Sequence, residues 1–498
     1  MRNPGFWIRT FSARVLGVVA LLLPAGWCCA SETDRPPNII YIVADDLGYG
    51  ELGCYTQKWI HTPHLDQLAR EGMRFTQHYA GSSISAPSLC CLLTGKHSGH
   101  GSIRTNRMRK PLSDEQKSKD QWPGQWPLPD KEVTLAEMLK QQGYATAAIG
   151  KWGLGHFDNS GNPLHQGFDL FYGFLCKAHA HNHYPRFLWR NEVKQIQPGN
   201  DGLQVGQTYC QDQFTNTALR FIRENRDKPL FLYMPVTIPH PPIQVPDVSL
   251  DEYRDKIPEA PYKRRTGYAK HPTPRAGYAA MISHLDRDVG RIMTLLKELG
   301  LDKKTLVVFT SDGGPASRRE GGTDSDFFNS SGNLRGRKGC LYEGGIRVPM
   351  IARWPGKIAP GSVTDRVSAF WDVLPTLAEL TGAHVPAGID GVSFAPTLLG
   401  RPEPPQKPRA LYWEFPAYGG QQAVRIGRWK GIRRDILQQK KPGLPPLELY
   451  DLSNDPGEKN DVAQQHPETV ARLEKIMKQE HTPNKSFPIN PLDKSDSP

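Results

Sequence analysis

A chain of 498 residues, 38% hydrophobic and 23% charged, has the composition of a globular protein with a full apolar core, which excludes disordered, collagen-like and repeat architectures. Its length exceeds one ordinary domain and is read as one large domain and one small. The formal charge of +11 favours anionic partners, but Lys and Arg are scattered and no nucleic-acid motif is present, so the excess is read as a solvated basic surface.

The chain starts with Arg2, Arg9 and Arg14 ahead of an apolar run at 15–23, followed by small residues to Ala30. This is the pattern of a secretion signal over residues 1–30, with Ser31 as the mature start, and it predicts an exported, periplasmic or extracellular protein. The run is far short of the ~20 residues that span a bilayer, and no later segment is longer, so no membrane span is expected. Losing the signal lowers the formal charge from +11 to +8 and removes Cys28 and Cys29. Cys54, Cys90, Cys91, Cys176, Cys210 and Cys340 remain, at spacings that match no zinc site and fix no disulfide pairing.

Four short apolar runs, at 38–44, 146–149, 230–236 and 306–310, read as fully buried parallel strands. Between them lie helical patterns. One opens at Thr62-Pro63 and stops near Gly72, a second spans 133–142 before Gly143, and a third spans 282–299 before Gly300. Strands alternating with helices predict an α/β fold, a mostly parallel central sheet with helices on both faces. The polar stretch 105–130 reads as a surface loop. The sheet domain is assigned to residues 31–400. Residues 401–498 form a small C-terminal α+β domain, with short strands near 411–413, 423–426 and 447–452, a helix near 468–479 and a polar tail.

Ligands of such sheets bind beyond the carboxyl ends of the strands. The residues there are Asp45 and Asp46, Lys151, His240 and Asp312. Each has a dull explanation alone, since Asp caps helices, Lys coats surfaces and a lone His satisfies a local hydrogen bond. Together they suggest an anion site organised by a metal. Ser85-Ala86-Pro87-Ser88 places a hydroxyl at a helix start, where free N–H groups favour an anion.

The segment from Ser85 through Pro87 to Leu93-Thr94-Gly95 resembles the sulfatase signature. Val43-Ala44-Asp45-Asp46, Gly150-Lys151-Trp152, Pro239-His240, Ser311-Asp312, Lys338, 342–349 and 449–456 resemble further blocks of that family in the family order. The resemblance covers about 36–462 and implies an alkaline-phosphatase-like fold and hydrolysis of sulfuric esters, on a sulfated glycan or an aryl sulfate. It implies one calcium ion per chain, held by Asp45, Asp46, Asp312 and residue 85, because calcium takes several oxygen ligands and paired carboxylates need a cation between them. It implies Ser85, Lys151, His240 and Lys338 as catalytic residues, with Lys151, His240 and Lys338 around the sulfate. It also implies conversion of Ser85 to formylglycine (3-oxoalanine) by a serine-type maturation enzyme. A hydrated aldehyde turns over readily, because one hydroxyl attacks and the other expels sulfate.

Three positions depart from the family pattern. Leu89 stands where the family has an Arg that is part of the modification signal and braces the site. Gly313 stands where it has Asn or His, which removes a metal ligand, and Gly153 where many members have His. His181 is read as an imidazole supplied from another loop. His97 and His100 either contact substrate or brace a helix end, and Arg335, Gly344 and Gly345 are expected to position Lys338. Two other functions compete: a catalytically impaired sulfate- or glycan-binding relative, and a phosphoester hydrolase of the same superfamily. The second usually carries two zinc ions and an Asp-His pair, which Asp312-Gly313 lacks.

Overall fold

All seven residues of the first strand, β1 (Asn38–Ala44), are buried. Ile40, Ile42 and Ala44 face one apolar core while Ile39, Tyr41 and Val43 face another, so the unbroken apolar run follows from burial on both sides of a two-residue repeat. The computed structural model describes residues 35–494 other than 204, 261–266, 318, 404–407 and 441–442, together with residues 1, 4, 5, 7 and 10. The signal expected at 1–30 therefore lies, apart from those five positions, outside the described residues. No helix among the described residues is long and apolar enough to cross a membrane.

The remaining strands of the main sheet are β2 (Met73–Tyr79), β3 (Ala145–Lys151), β4 (Leu170–Phe174), β5 (Phe187–Arg190), β6 (Val193–Ile196), β7 (Leu230–Pro235), β8 (Thr305–Ser311), β9 (Arg347–Arg353), β10 (Ser362–Thr364) and β11 (Ser368–Ala369). Their order is β10-β2-β9-β8-β1-β7-β3-β4-β5-β6, with β11 beside β2. The five central strands, β8-β1-β7-β3-β4, are parallel, and β9 runs antiparallel between β2 and β8. Helices Pro63–Glu71, Cys210–Glu224 and Pro274–Glu298 cover one face, and Ser85–Thr94, Leu135–Gln141 and Val373–Thr381 the other. The α/β sheet with helices on both faces is the observed architecture.

The third expected helix starts at Pro274, two turns before residue 282. Ala276, Gly277, Ala279 and Ala280 are buried on every side there, so no apolar stripe marks the turn in the sequence. The stretch 105–130 is mostly irregular, but it carries a short helix, Asp114–Ser118, closed by a capping box between Ser113 and Gln116. All six described cysteines are free.

Beyond residue 400, β12 (Ala410–Phe415), β13 (Gln421–Ile426), β14 (Trp429–Arg433) and β15 (Glu448–Asp451) form an antiparallel sheet in that order. Leu473 and Met477 of helix Pro467–Glu480 pack on one of its faces against Tyr412, Val424 and Leu449. Trp413, Ala423 and Ile432 on the other face pack against Tyr79, Leu341 and Ile346, so both sheets belong to one compact unit from residue 36 onward.

Candidate active site

Four adjacent strands deliver their functional side chains to one edge. β1 ends at Ala44, immediately before Asp45 and Asp46, and β8 ends at Ser311, immediately before Asp312. Lys151 is the last residue of β3, and His240 follows β7. Parallel register brings these ends together, because Ala44 pairs with Ser311 and Val43 with Pro235. Gly150 permits the approach: its φ is 133°, and a Cβ there would lie 2.0 Å from the Pro235 carbonyl oxygen. Asp46 takes a left-handed backbone, φ 63°, and its N–H donates to Asp312 Oδ1 at 3.1 Å.

Ser85 opens the buried helix Ser85–Thr94, whose second residue, Ala86, donates its N–H to Asn106 Oδ1 at 2.9 Å. Ser85 Oγ donates to Asp45 Oδ1 at 3.0 Å and accepts from Lys151 Nζ at 3.0 Å. The hydroxyl thus sits between a proton acceptor and a cation, the setting an oxygen nucleophile needs. Lys151 also ion-pairs with Asp45. Lys338 Nζ donates to Asp46 Oδ2 at 2.6 Å and to His240 Nε2 at 2.9 Å. His240 Nδ1 lies 2.6 Å from the Pro241 carbonyl oxygen, which can only accept, so the hydrogen-bond network assigns the ring proton to Nδ1 and leaves Nε2 as the acceptor. Burial first, and then Lys338 and Lys151, hold His240 well below the usual imidazole range. The ring of His181 stacks on it, centroids 5.1 Å apart and planes 11° apart. His181, the imidazole expected from another loop, thus lies beside His240.

Every expected site residue is buried or nearly so, and all converge. Burial, and then Asp45, push Asp312 up to about 8, and burial raises Asp46 to about 7 against the opposing pull of Lys338. Asp46 Oδ1, Ser82 Oγ and Ser83 Oγ are buried without a hydrogen-bond partner. Carboxylate and hydroxyl oxygens with an unpartnered carboxylate oxygen fit a calcium ion, and His240 Nε2, 3.6 Å from Asp46 Oδ2, already accepts from Lys338. A Cβ at Gly313 would meet nothing nearer than 3.7 Å, so the position is open rather than filled. Leu89 points into the apolar core with Ala86 and Cys90, 2% exposed, and brings no charge to the site.

The loop carrying Lys338 is fixed on both sides. Lys338 N–H donates to the Pro315 carbonyl at 3.0 Å and Gly339 N–H to the Ser83 carbonyl at 3.1 Å. Arg335 stacks on Tyr342, 3.9 Å from its ring, and bonds Tyr450 and the Glu458 carbonyl, so it braces this loop. Beneath, fully buried Lys430 pairs with Glu343 at 2.9 Å and Glu458 at 3.0 Å. His97 and His100 are bracing residues: His97 Nε2 lies 3.0 Å from Glu480 and His100 Nδ1 2.8 Å from Asp390. His97 Nδ1 accepts from Gly99 N–H, which opposes metal binding, since a ligating imidazole keeps a proton on its other nitrogen.

Comparison with known proteins decides the assignment. The family model described as Sulfatase matches residues 37–383. The chain belongs to the sulfatase family. A second model, N-sulphoglucosamine sulphohydrolase, C-terminal, matches residues 337–483. The sulfatase is 34% identical to arylsulfatase A of Homo sapiens, over 92% of this chain and 89% of the relative. It is 29% identical to the N-acetylgalactosamine-6-O-sulfatase of Bacteroides thetaiotaomicron, over 90% and 93%. The solved structure of Ps i-CgsB in complex with k-i-k-neocarrahexaose superposes with a TM-score of 0.73 at 27% identity, covering 89% of this chain and 92% of that one. The chain is a sulfuric ester hydrolase with the alkaline-phosphatase-like sheet and a small C-terminal sheet.

Sequence reasoning missed Lys177, Tyr268 and Glu320 around this sulfatase's site. Glu320 acts on Asp46 and Lys338, and the Tyr268 ring lies 5.2 Å from His181 and 6.0 Å from His240. The His-rich segment at 179–183 was the signal that points to the loop bearing Lys177; nothing in the sequence marks the other two.

Proposed function

We propose that this sulfatase removes sulfate from a sulfated glycan, with Ser85, Lys151, His240 and Lys338 as its catalytic residues. The observation that carries the reading is Ser85 Oγ held at 3.0 Å from both Asp45 and Lys151 at a helix start. A carbohydrate substrate is supported by the name of the Bacteroides relative and by the oligosaccharide in the Ps i-CgsB complex. Lys151 and Lys338 place ammonium groups where charge grows on the sulfuryl oxygens. Asp45 accepts the proton of the attacking hydroxyl at residue 85, and the proton the leaving alcohol needs is held between Lys338 Nζ and His240 Nε2. His181 fixes the plane of His240.

Asp45, Asp46, Asp312 and residue 85 would hold one calcium ion, which supplies further neutralisation of the sulfuryl oxygens. Formylglycine at residue 85 would supply a second hydroxyl for release of sulfate, and a serine-type maturation enzyme would make it. Residues 1–30 would export the chain to the periplasm or the exterior. Leu89 favours a second reading, in which Ser85 stays a serine and the enzyme stalls after one attack. Mass spectrometry of the Ser85 peptide from the native host separates the two, since conversion makes it lighter by two hydrogen atoms. Sulfate release from aryl and glycan sulfates by the wild type, lost in Ser85→Ala, is the expected result. Absence of release from every such ester sinks the hydrolytic reading.

A further inference from the structure

Lys177 follows β4 and precedes the short turn His179–His181, with its backbone N–H held by Gln125 Oε1 at 2.9 Å. Its side chain is mostly buried. Lys151 and Lys338 are ion-paired to Asp45 and Asp46, but no carboxylate of the described residues lies within ion-pair distance of the Lys177 ammonium. The charged groups that act on it most are those same two lysines, both repelling. With burial they hold it down to about 8. A shielded cation without a counter-ion is costly unless something from outside supplies one.

The neighbourhood shows where that counter-ion enters. A cavity of about 750 Å³ opens beside His240, lined by Trp122, Ala178, His181, Arg186, Pro242 and Tyr268 among others. Ala178 adjoins Lys177 and His181 stacks on His240, so two residues of the cavity wall border the catalytic edge. Of the cations that line it, Arg186 is engaged by Asp120 at 3.7 Å and by the Asp201 carbonyl at 2.5 Å, and Lys117 by Asp114 at 2.7 Å. Among the described residues Lys177 is left without an ion-pair partner, next to the cavity-lining Ala178 and close enough to Lys151 and Lys338 for both to act on it. Trp122, stacked on His179 with centroids 4.8 Å apart, offers the rigid aromatic wall that sugar rings pack against.

We propose that Lys177 is a specificity-determining residue that binds a second anionic group, carboxylate or sulfate, carried by the substrate next to the ester being cleaved. The inference rests on the hydrolytic reading of the same pocket. The test uses the full chain and Lys177→Met, which keeps the stem and removes the charge. Three probes share one 6-sulfate ester: N-acetylgalactosamine 6-sulfate, its 4,6-disulfate, and the 6-sulfate extended by a hexuronic acid. The wild type is expected to favour a doubly charged probe over the singly charged one. Lys177→Met is expected to reduce that ratio of kcat/KM about 10- to 100-fold, chiefly through KM, as loss of a charged hydrogen bond implies. Lys177→Arg is expected to retain much of it. Which doubly charged probe gains separates carboxylate from sulfate. A fall that is equal for all three probes overturns the proposal, as does an unchanged ratio. Where the wild type cleaves none of them, the hydrolytic reading fails by itself, and calorimetric binding of the same probes still decides Lys177: equal affinity of wild type and Lys177→Met for the doubly charged sugars overturns it.

Discussion

Calcium binding to the metal-free sulfatase should release protons, with a pH dependence set by two carboxyls. Asp312 is pushed up to about 8 and Asp46 to about 7, in both cases by burial first, with Asp45 adding repulsion. Both carboxyls therefore hold protons toward neutral pH, so a calcium ion that needs both ionised displaces protons, at most two per ion. Affinity should therefore climb as pH rises through neutrality, by no more than about 100-fold per pH unit, and level off once both carboxyls are ionised. The stability sign runs the same way. Carboxyls raised in the folded chain stabilise it below their unfolded values near 4, and that contribution is lost as pH rises through about 7 to 8, so the metal-free protein weakens toward alkaline pH while calcium restores it. Glu51, Asp286 and Glu458, each also raised to about 7 by burial, add to the loss without responding to calcium. The calcium-dependent difference isolates the site. Calorimetric titration of calcium at pH 6, 7 and 9, in pairs of buffers differing in ionisation enthalpy, counts the protons directly. A flat affinity from pH 6 to 9, or no proton release at pH 7, would refute the shared-cation account, and Asp312→Asn should reduce the release.

Gly313→Asn adds a carboxamide oxygen beside Asp312 where the nearest atoms to a new Cβ are 3.7 Å away, so it should raise calcium affinity about 10-fold without loss of thermal stability; the same calcium titration checks it. Lys430→Met leaves Glu343 and Glu458 facing each other in a site with no exposure and should cost about 3–5 kcal/mol, measured by urea unfolding.

The runs at 38–44, 230–236 and 306–310 were legible as strands because a doubly covered parallel sheet demands unbroken apolar sequence. The gathering of Asp45, Asp46, Lys151, His240 and Asp312 at one edge was legible because each ends or follows a strand readable in the sequence. Ser85 was legible from the Pro two positions on and the helix it opens. β2 escaped notice because MRFTQHY mixes polar and apolar residues along an antiparallel partner. The start of helix Pro274–Glu298 escaped because small buried residues leave no stripe. Sequence alone also left His97, His100 and His181 undecided. Tertiary structure set the first two against Asp390 and Glu480, and laid His181 on His240 across 59 residues of chain. It alone placed Lys177 near Lys151 and Lys338 with no ion-pair partner among the described residues, and Lys430 beneath the Lys338 loop. Sequence thus determined what is written in local periodicity and in the residue types at strand ends. Only the fold decided which charges meet, because desolvation and Coulomb repulsion act between side chains that are distant in sequence and close in space.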